Sequence, residues 1–170
     1  MRSKYWLLEE LERVASVRDA TLVVLGGWCG ILPWLLYRSR GWSPQLAVSV
    51  DIDPVACSIG ARTTGRETPR LHFLCQDVHS LDYARLARDR RLVLINTICE
   101  HLSDFSGWRR LVPPDTLVVL QSNNYRGCPD HVNCVDSPEQ LAHDAALTAV
   151  SSAGALELSL FTRYMVIGRT

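Results

Sequence analysis

Lysine is almost missing from this chain of 170 residues: Lys4 stands alone, and every other fixed cationic side chain is arginine. Codon usage accounts for such a bias, so no arginine-specific partner is inferred. An excess of either charge is missing too, with 18 Lys+Arg against 18 Asp+Glu. That removes the long-range field with which nucleic-acid binders track a phosphate backbone, and no nucleic-acid partner is expected. Long hydrophobic runs are absent, the longest falling far short of a membrane helix, so no membrane span is expected. The amino-terminal stretch is interrupted by Glu9 and Glu10 where an export signal needs apolar residues, and a cytoplasmic location is the default expectation. Paired C-x-x-C knuckles are lacking among Cys29, Cys57, Cys75, Cys99, Cys128 and Cys134. Most of these cysteines sit in apolar runs and read as reduced, buried thiols. Cys128 and Cys134 flank His131, but without knuckles no metal is expected there, and the segment reads as loop packing or substrate contacts. Repeats and low-complexity tracts are missing as well.

What is present is enough for one core. The chain is 47% hydrophobic and 21% charged, which excludes an intrinsically disordered composition, and at this length roughly 70% of the unfolded surface can be buried. A single domain over residues 1–170 is expected, opened by an amphipathic helix within residues 1–18, with Tyr5, Leu8, Leu11 and Ala15 at helical spacing. Thr21–Leu25, Leu46–Val50, Leu71–Cys75, Leu92–Ile95 and Thr116–Leu120 are apolar runs of strand length. Between them lie helical stretches: Gly30–Tyr37, with Pro33 in its first turn, then Pro54–Arg62 behind an Asp53 cap, Leu81–Arg90 and Asp104–Leu111. Alternation with strands apolar on both faces predicts a parallel sheet covered by helices. Ser137–Ser152 then reads as a helix, and Leu156–Phe161 and Tyr164–Ile167 as strands separated by Thr162-Arg163, a gap that permits only an antiparallel hairpin. The fold class is therefore α/β, a Rossmann-like three-layer sandwich with a mostly parallel sheet and an antiparallel C-terminal strand. Trp28, Trp34, Trp42 and Trp108 are expected in the core or at interfaces, Trp28 also being placed to wall a ligand site.

Ligands of open α/β sheets lie beyond the carboxyl ends of the strands. After the first strand comes Gly26-Gly27-Trp28-Cys29-Gly30, a turn that lets backbone approach a ligand at a helix start. After the second comes Asp51, 24 positions beyond Gly27, a spacing at which a carboxylate reaches a ribose diol. After the third comes Gln76-Asp77-Val78, an acid followed by a backbone N–H suited to an adenine edge. Each has a plainer reading as a tight turn, a helix cap or a turn aspartate. Three at one sheet edge favour a ligand. After the fourth strand, Asn96 to His101 offers Glu100-His101 as a candidate general-base pair, or else a helix-start acid and a surface histidine. After the fifth, Asn123, Asn124 and Tyr125 are rich in hydrogen-bonding groups, as Asx-type turns also are.

With these features the chain resembles the class I S-adenosylmethionine-dependent methyltransferases over nearly all of its length, and Val50-Asp-Ile-Asp-Pro54 is a close match to that family's second motif. The resemblance implies S-adenosyl-L-methionine as cofactor: Gly26, Gly27 and Gly30 around its methionine part with Trp28 beside them, Asp51 on the ribose hydroxyls, Asp77 on adenine, and Ile52 and Val78 lining the adenine slot. It also implies Asn96 near the methyl donor, with Glu100, Asn124 and Tyr125 as candidate catalytic or acceptor-orienting residues. The first motif departs from the family pattern: the usual acidic position reads as Leu25 or Gly26, and Cys29 stands at a usual glycine. A nicotinamide dinucleotide is disfavoured because the turn is not Gly-x-Gly-x-x-Gly.

Apart from the opening helix and the Arg126–Asp136 loop, everything is needed to build the sheet and its cover, so a small-molecule substrate, or the cofactor alone, is expected. The leading expectation is a small-molecule methyltransferase. A second is attack on the cofactor's aminocarboxypropyl chain, by cyclisation to azetidine-2-carboxylate or by transfer, with release of methylthioadenosine. A third is a non-catalytic cofactor-binding subunit. Oligomeric state is not legible.

Overall fold

The computed structural model describes residues 1–39 and 44–170, so Trp42 lies outside the described residues. Chain contacts divide it into two compact units, one of residues 15–95 and one of residues 1–14 with 96–170. Among the described residues the strands run in the order β3 (Leu71–Cys75), β2 (Leu46–Asp51), β1 (Thr21–Leu25), β4 (Leu92–Asn96), β5 (Leu117–Asn123), β7 (Thr162–Arg169) and β6 (Ala149–Glu157).

The first unit holds β1 (Thr21–Leu25), α2 (Ile31–Arg38), β2 (Leu46–Asp51), α3 (Pro54–Arg62), the short α4 (Thr64–Glu67), β3 (Leu71–Cys75), α5 (Tyr83–Ala87) and β4 (Leu92–Asn96), whose last residue passes into the second unit; the opening helix α1 (Arg2–Val14) belongs to the second unit. These strands fall on the apolar runs expected. β1 and β4 are buried along their whole length, as parallel strands covered on both faces must be. Their uniform Val/Leu/Ile content gives no alternation and hence no solvent face. Asp53 caps α3 as expected, its carboxylate accepting from the Val55 and Ala56 amides at 2.8 and 3.3 Å, with Pro54 at the first helical position.

The second unit holds α1, α6 (Phe105–Leu111), β5 (Leu117–Asn123), α7 (Pro138–Asp144), β6 (Ala149–Glu157) and β7 (Thr162–Arg169). β7 pairs antiparallel with both β5 and β6. α1 buries Leu7, Leu8 and Leu11 and bonds to β6 through Ser152 Oγ, which donates to Glu10 Oε2 at 2.9 Å. Two expectations are corrected here. The helix from Ser137 ends at Asp144 instead of Ser152, because Ala146 adopts a left-handed φ of 46° and closes it. The hairpin turns at Leu158–Phe161, one turn earlier than expected, so Ala149–Glu157 is strand and Arg163 lies inside β7.

Candidate functional site

Parallel register determines what meets at the edge of the first unit. Leu25 pairs with Val50 and Asp51 with Cys75, so β1, β2 and β3 end level and their loops emerge together. The Gly27 amide donates to Val50 O and the Gln76 amide to Asp51 O, each at 3.0 Å, locking the loop starts to the strand ends. Asp51 is half-buried at the centre: Oδ2 accepts from the Trp28 amide at 2.8 Å and Oδ1 from the Asp53 amide at 3.0 Å. A carboxylate offers about four acceptor positions, so two remain for ligand hydroxyls. Beside it Ile52 is 71% exposed and Trp28 63% exposed, two large apolar groups left open at a strand edge. Of the two residues expected to line the adenine slot, Ile52 is therefore open, whereas Val78 is buried and Tyr83 OH donates to its carbonyl.

Packing dictates the glycines. A Cβ on Gly27 would come 2.1 Å from Ser49 Oγ, and Gly30, at φ 76°, lies against the Phe73 ring and is preceded by Cys29, whose carbonyl accepts from Thr64 Oγ1 at 2.9 Å. Asp77 accepts from the His79 amide at 2.8 Å and lies 3.1 Å from His79 Nδ1. The amide first, then the ring, hold its carboxyl below the usual carboxylate range against the opposing effect of burial. It is thereby kept ionised as a hydrogen-bond acceptor.

The second unit carries Asn96, Glu100, Asn124 and Tyr125. Asn96 is fully buried; Oδ1 accepts from the Ile98 amide at 3.0 Å, while Nδ2 has no partner. Glu100 does open the short helical turn Cys99–His101, beside an exposed His101, but its carboxylate is turned inward: it is 1% exposed, and Oε1 takes the Asn123 amide at 2.6 Å and the Arg163 guanidinium at 3.0 Å. Antiparallel register places Asn123 directly opposite Arg163, which explains how both reach one oxygen. Removing one partner of so buried a pair costs about 3–5 kcal/mol. Oε2 of Glu100 has no partner. Glu100 thus directs its carboxylate to Asn123 and Arg163, leaving the expected pairing with His101 without a hydrogen bond to carry it.

Asn124 is engaged at both ends, donating to Tyr164 OH at 3.4 Å and accepting from the Thr162 amide at 2.9 Å, which ties the end of β5 to the start of β7. Tyr125 packs against Phe161 and edge-on to His131. The loop that follows is fastened throughout: Asn133 donates to Glu100 O and Cys99 O, Val135 to Asn123 O, and Arg126 grips Asp136 through two bonds. Burial pushes the Cys99 thiol well above its ordinary range, which makes it an inert core group. Arg163 was missed by sequence reasoning; its signal is a cation directly before the apolar run Tyr164–Ile167.

No protein-family model matches the chain, and no curated protein matches it. Solved structures do. The N-methyltransferase NodS from Bradyrhizobium japonicum WM9 matches with a TM-score of 0.70 at 13% identity, over 99% of this chain and 94% of that one. The same enzyme in complex with S-adenosyl-l-homocysteine matches at a TM-score of 0.68 and 13% identity, over 98% and 86%. The [4+2]-cyclase SpnF matches at 0.73 and 13%, over 99% and 80%. The chain therefore has the Rossmann-like fold of the class I S-adenosylmethionine-dependent methyltransferases. At these identities the likeness defines architecture, and the name of SpnF shows that one architecture carries more than one reaction.

Proposed function

We propose that the chain binds S-adenosyl-L-methionine and transfers its methyl group to a small molecule. The observation that carries this reading is the Asp51 carboxylate, held by the Trp28 and Asp53 amides with acceptor positions to spare and flanked by the open side chains of Ile52 and Trp28. A ribose diol needs such a charged acceptor, and a purine such apolar walls. Asp77, kept ionised, is suited to the exocyclic amine of adenine. When bound, the cofactor supplies an activated sulfonium carbon. The chain then has to exclude water and orient a nucleophile, which can lower a barrier by roughly 7–11 kcal/mol. Asn96, through its unpartnered Nδ2, and Tyr125 are the groups proposed to orient cofactor or acceptor. Asn124 serves to tie the end of β5 to the start of β7.

Calorimetric titration tests the cofactor assignment. Asp51→Ala should weaken S-adenosylmethionine binding at least about tenfold, because charged hydrogen bonds to two hydroxyls are lost. Unchanged affinity would sink the assignment. Mass spectrometry of the nucleoside left after incubation reads the reaction: S-adenosylhomocysteine supports methyl transfer, and methylthioadenosine moves the reaction to the aminocarboxypropyl chain.

A further inference from the structure

Among the described residues, Glu100, His101 and His131 each bring one donor atom to within 4.8 Å of the other two. Their neighbours prepare all three. His101 Nδ1 lies 3.1 Å from Asp130 O and His131 Nδ1 lies 2.8 Å from Tyr125 O. A carbonyl only accepts, so each Nδ1 carries the hydrogen and each neutral ring has its lone pair on Nε2. Backbone carbonyls orient metal-ligating histidines in this way. The Glu100 carboxylate is 1% exposed, with Asn123 and Arg163 on Oε1 and nothing on Oε2. A buried carboxylate oxygen without a partner is costly, and a cation beside it removes that cost. The two rings stand edge to face with centroids 4.7 Å apart.

We propose that Glu100 Oε2, His101 Nε2 and His131 Nε2 bind one divalent first-row transition-metal ion. Two imidazoles and one carboxylate are donors that zinc, manganese and iron(II) accept. Donors around a tetrahedral zinc lie about 3.4 Å apart at bond lengths of about 2.1 Å, so donors that now lie within 4.8 Å of one another need the side chains to close on the ion. His101 is exposed and His131 half-buried, which leaves them room to do so. Three protein donors leave coordination positions open to water or to an oxygen of a substrate, the pattern of catalytic rather than structural sites. Arg163 stays on the far oxygen of Glu100, making that ligand monodentate. The proposal is independent of the transferase reading, since metal binding alone decides it.

The test uses the full chain, stripped with chelator and kept reduced with a phosphine, titrated with Co²⁺ and separately with Zn²⁺. The expected result is one ion per chain, with visible cobalt d–d bands and no sulfur-to-cobalt charge transfer. His101→Ala and His131→Ala should each weaken binding at least about tenfold while leaving the circular dichroism of the fold unchanged. Cys128→Ser/Cys134→Ser should bind as the parent does. Absence of binding, a thiolate charge-transfer band, or equal affinity in the His101→Ala/His131→Ala double variant would overturn the site. Glu100→Gln is the less informative variant, because it also disturbs the buried pair with Arg163.

Discussion

Trp28 stands in the left-handed region at φ 48° with its side chain 63% exposed. For a bulky residue that backbone costs about 1–2 kcal/mol, and little burial offsets it. What holds it there is the 2.8 Å bond from its amide to Asp51. Strain kept beside a candidate ligand carboxylate points to a wall for the ligand, and two substitutions separate wall from strain. Trp28→Gly should raise the melting temperature by about 2–4 °C, the equivalent of roughly 1 kcal/mol in a chain this long, while weakening S-adenosylmethionine binding several-fold. Trp28→Ala keeps the strain and should lose affinity without gaining stability. If calorimetry gives parental affinity for both, Trp28 is no wall. The glycine turn, Asp51 and Asp77 were legible in the sequence because each directly follows an apolar run and belongs to the same edge. The strain at Trp28 was not, since nothing local demands φ above zero from a tryptophan.

β1, β2 and β4 were legible for a physical reason: a strand covered on both faces is a short, largely apolar run, and Gly26, Asp51 and Asn96 stop these three. β6 was not. Its first part, residues 149–152, is small and mostly exposed, so neither period 2 nor β-branching marks it and it reads as the tail of α7; only Leu156 and Glu157 fall in an expected strand. The signal that should have separated them is a C-terminal glycine. Here Leu147 N–H bonds Ala142 O at 3.2 Å and Ala146 N–H bonds His143 O at 2.9 Å, the Schellman pattern with alanine where glycine is usual. Ala146→Gly should therefore stabilise the chain by about 0.5–1 kcal/mol, the relief of the left-handed alanine exceeding glycine's added chain entropy. Gly60 in α3 shows the reverse. Alanine there would normally gain about 1 kcal/mol of helix propensity, but its Cβ would lie 2.2 Å from Phe73 Cε1, in a ring already confined by Gly30 and Gly65. Gly60→Ala should lower the melting temperature, overpacking costing about 1–3 kcal/mol, and Phe73→Leu in the same chain should restore most of the loss. Thermal denaturation of the three variants checks both signs. The Glu100, Asn123 and Arg163 cluster escaped sequence reading because register, not spacing, assembles it.

On the proposed cofactor reading, the edge that carries Asp51, Ile52 and Asp77 would take the nucleoside and the glycine turn the methionine end. The position that is usually acidic in the family the chain resembles is here the fully buried Leu25, or else Gly26. A charged hydrogen bond to the ligand's amino group is worth about 1.5–3 kcal/mol, and without that acid most of the affinity should come from the sugar and base. Ligand binding stabilises the native chain by mass action, reaching about 2.7 kcal/mol at a hundredfold excess over the dissociation constant. S-adenosylhomocysteine and methylthioadenosine at equal concentration should then raise the melting temperature by nearly the same amount. Had the amino-acid end been gripped by a carboxylate, the two shifts would differ by roughly 3–12 °C, since each kcal/mol moves the melting point of a chain this long by about 2–4 °C. A thermal scan with each ligand separates the cases. A much larger shift with S-adenosylhomocysteine would mean that another group grips the amino-acid end in place of the missing acid, and would overturn the reading that sugar and base carry the affinity.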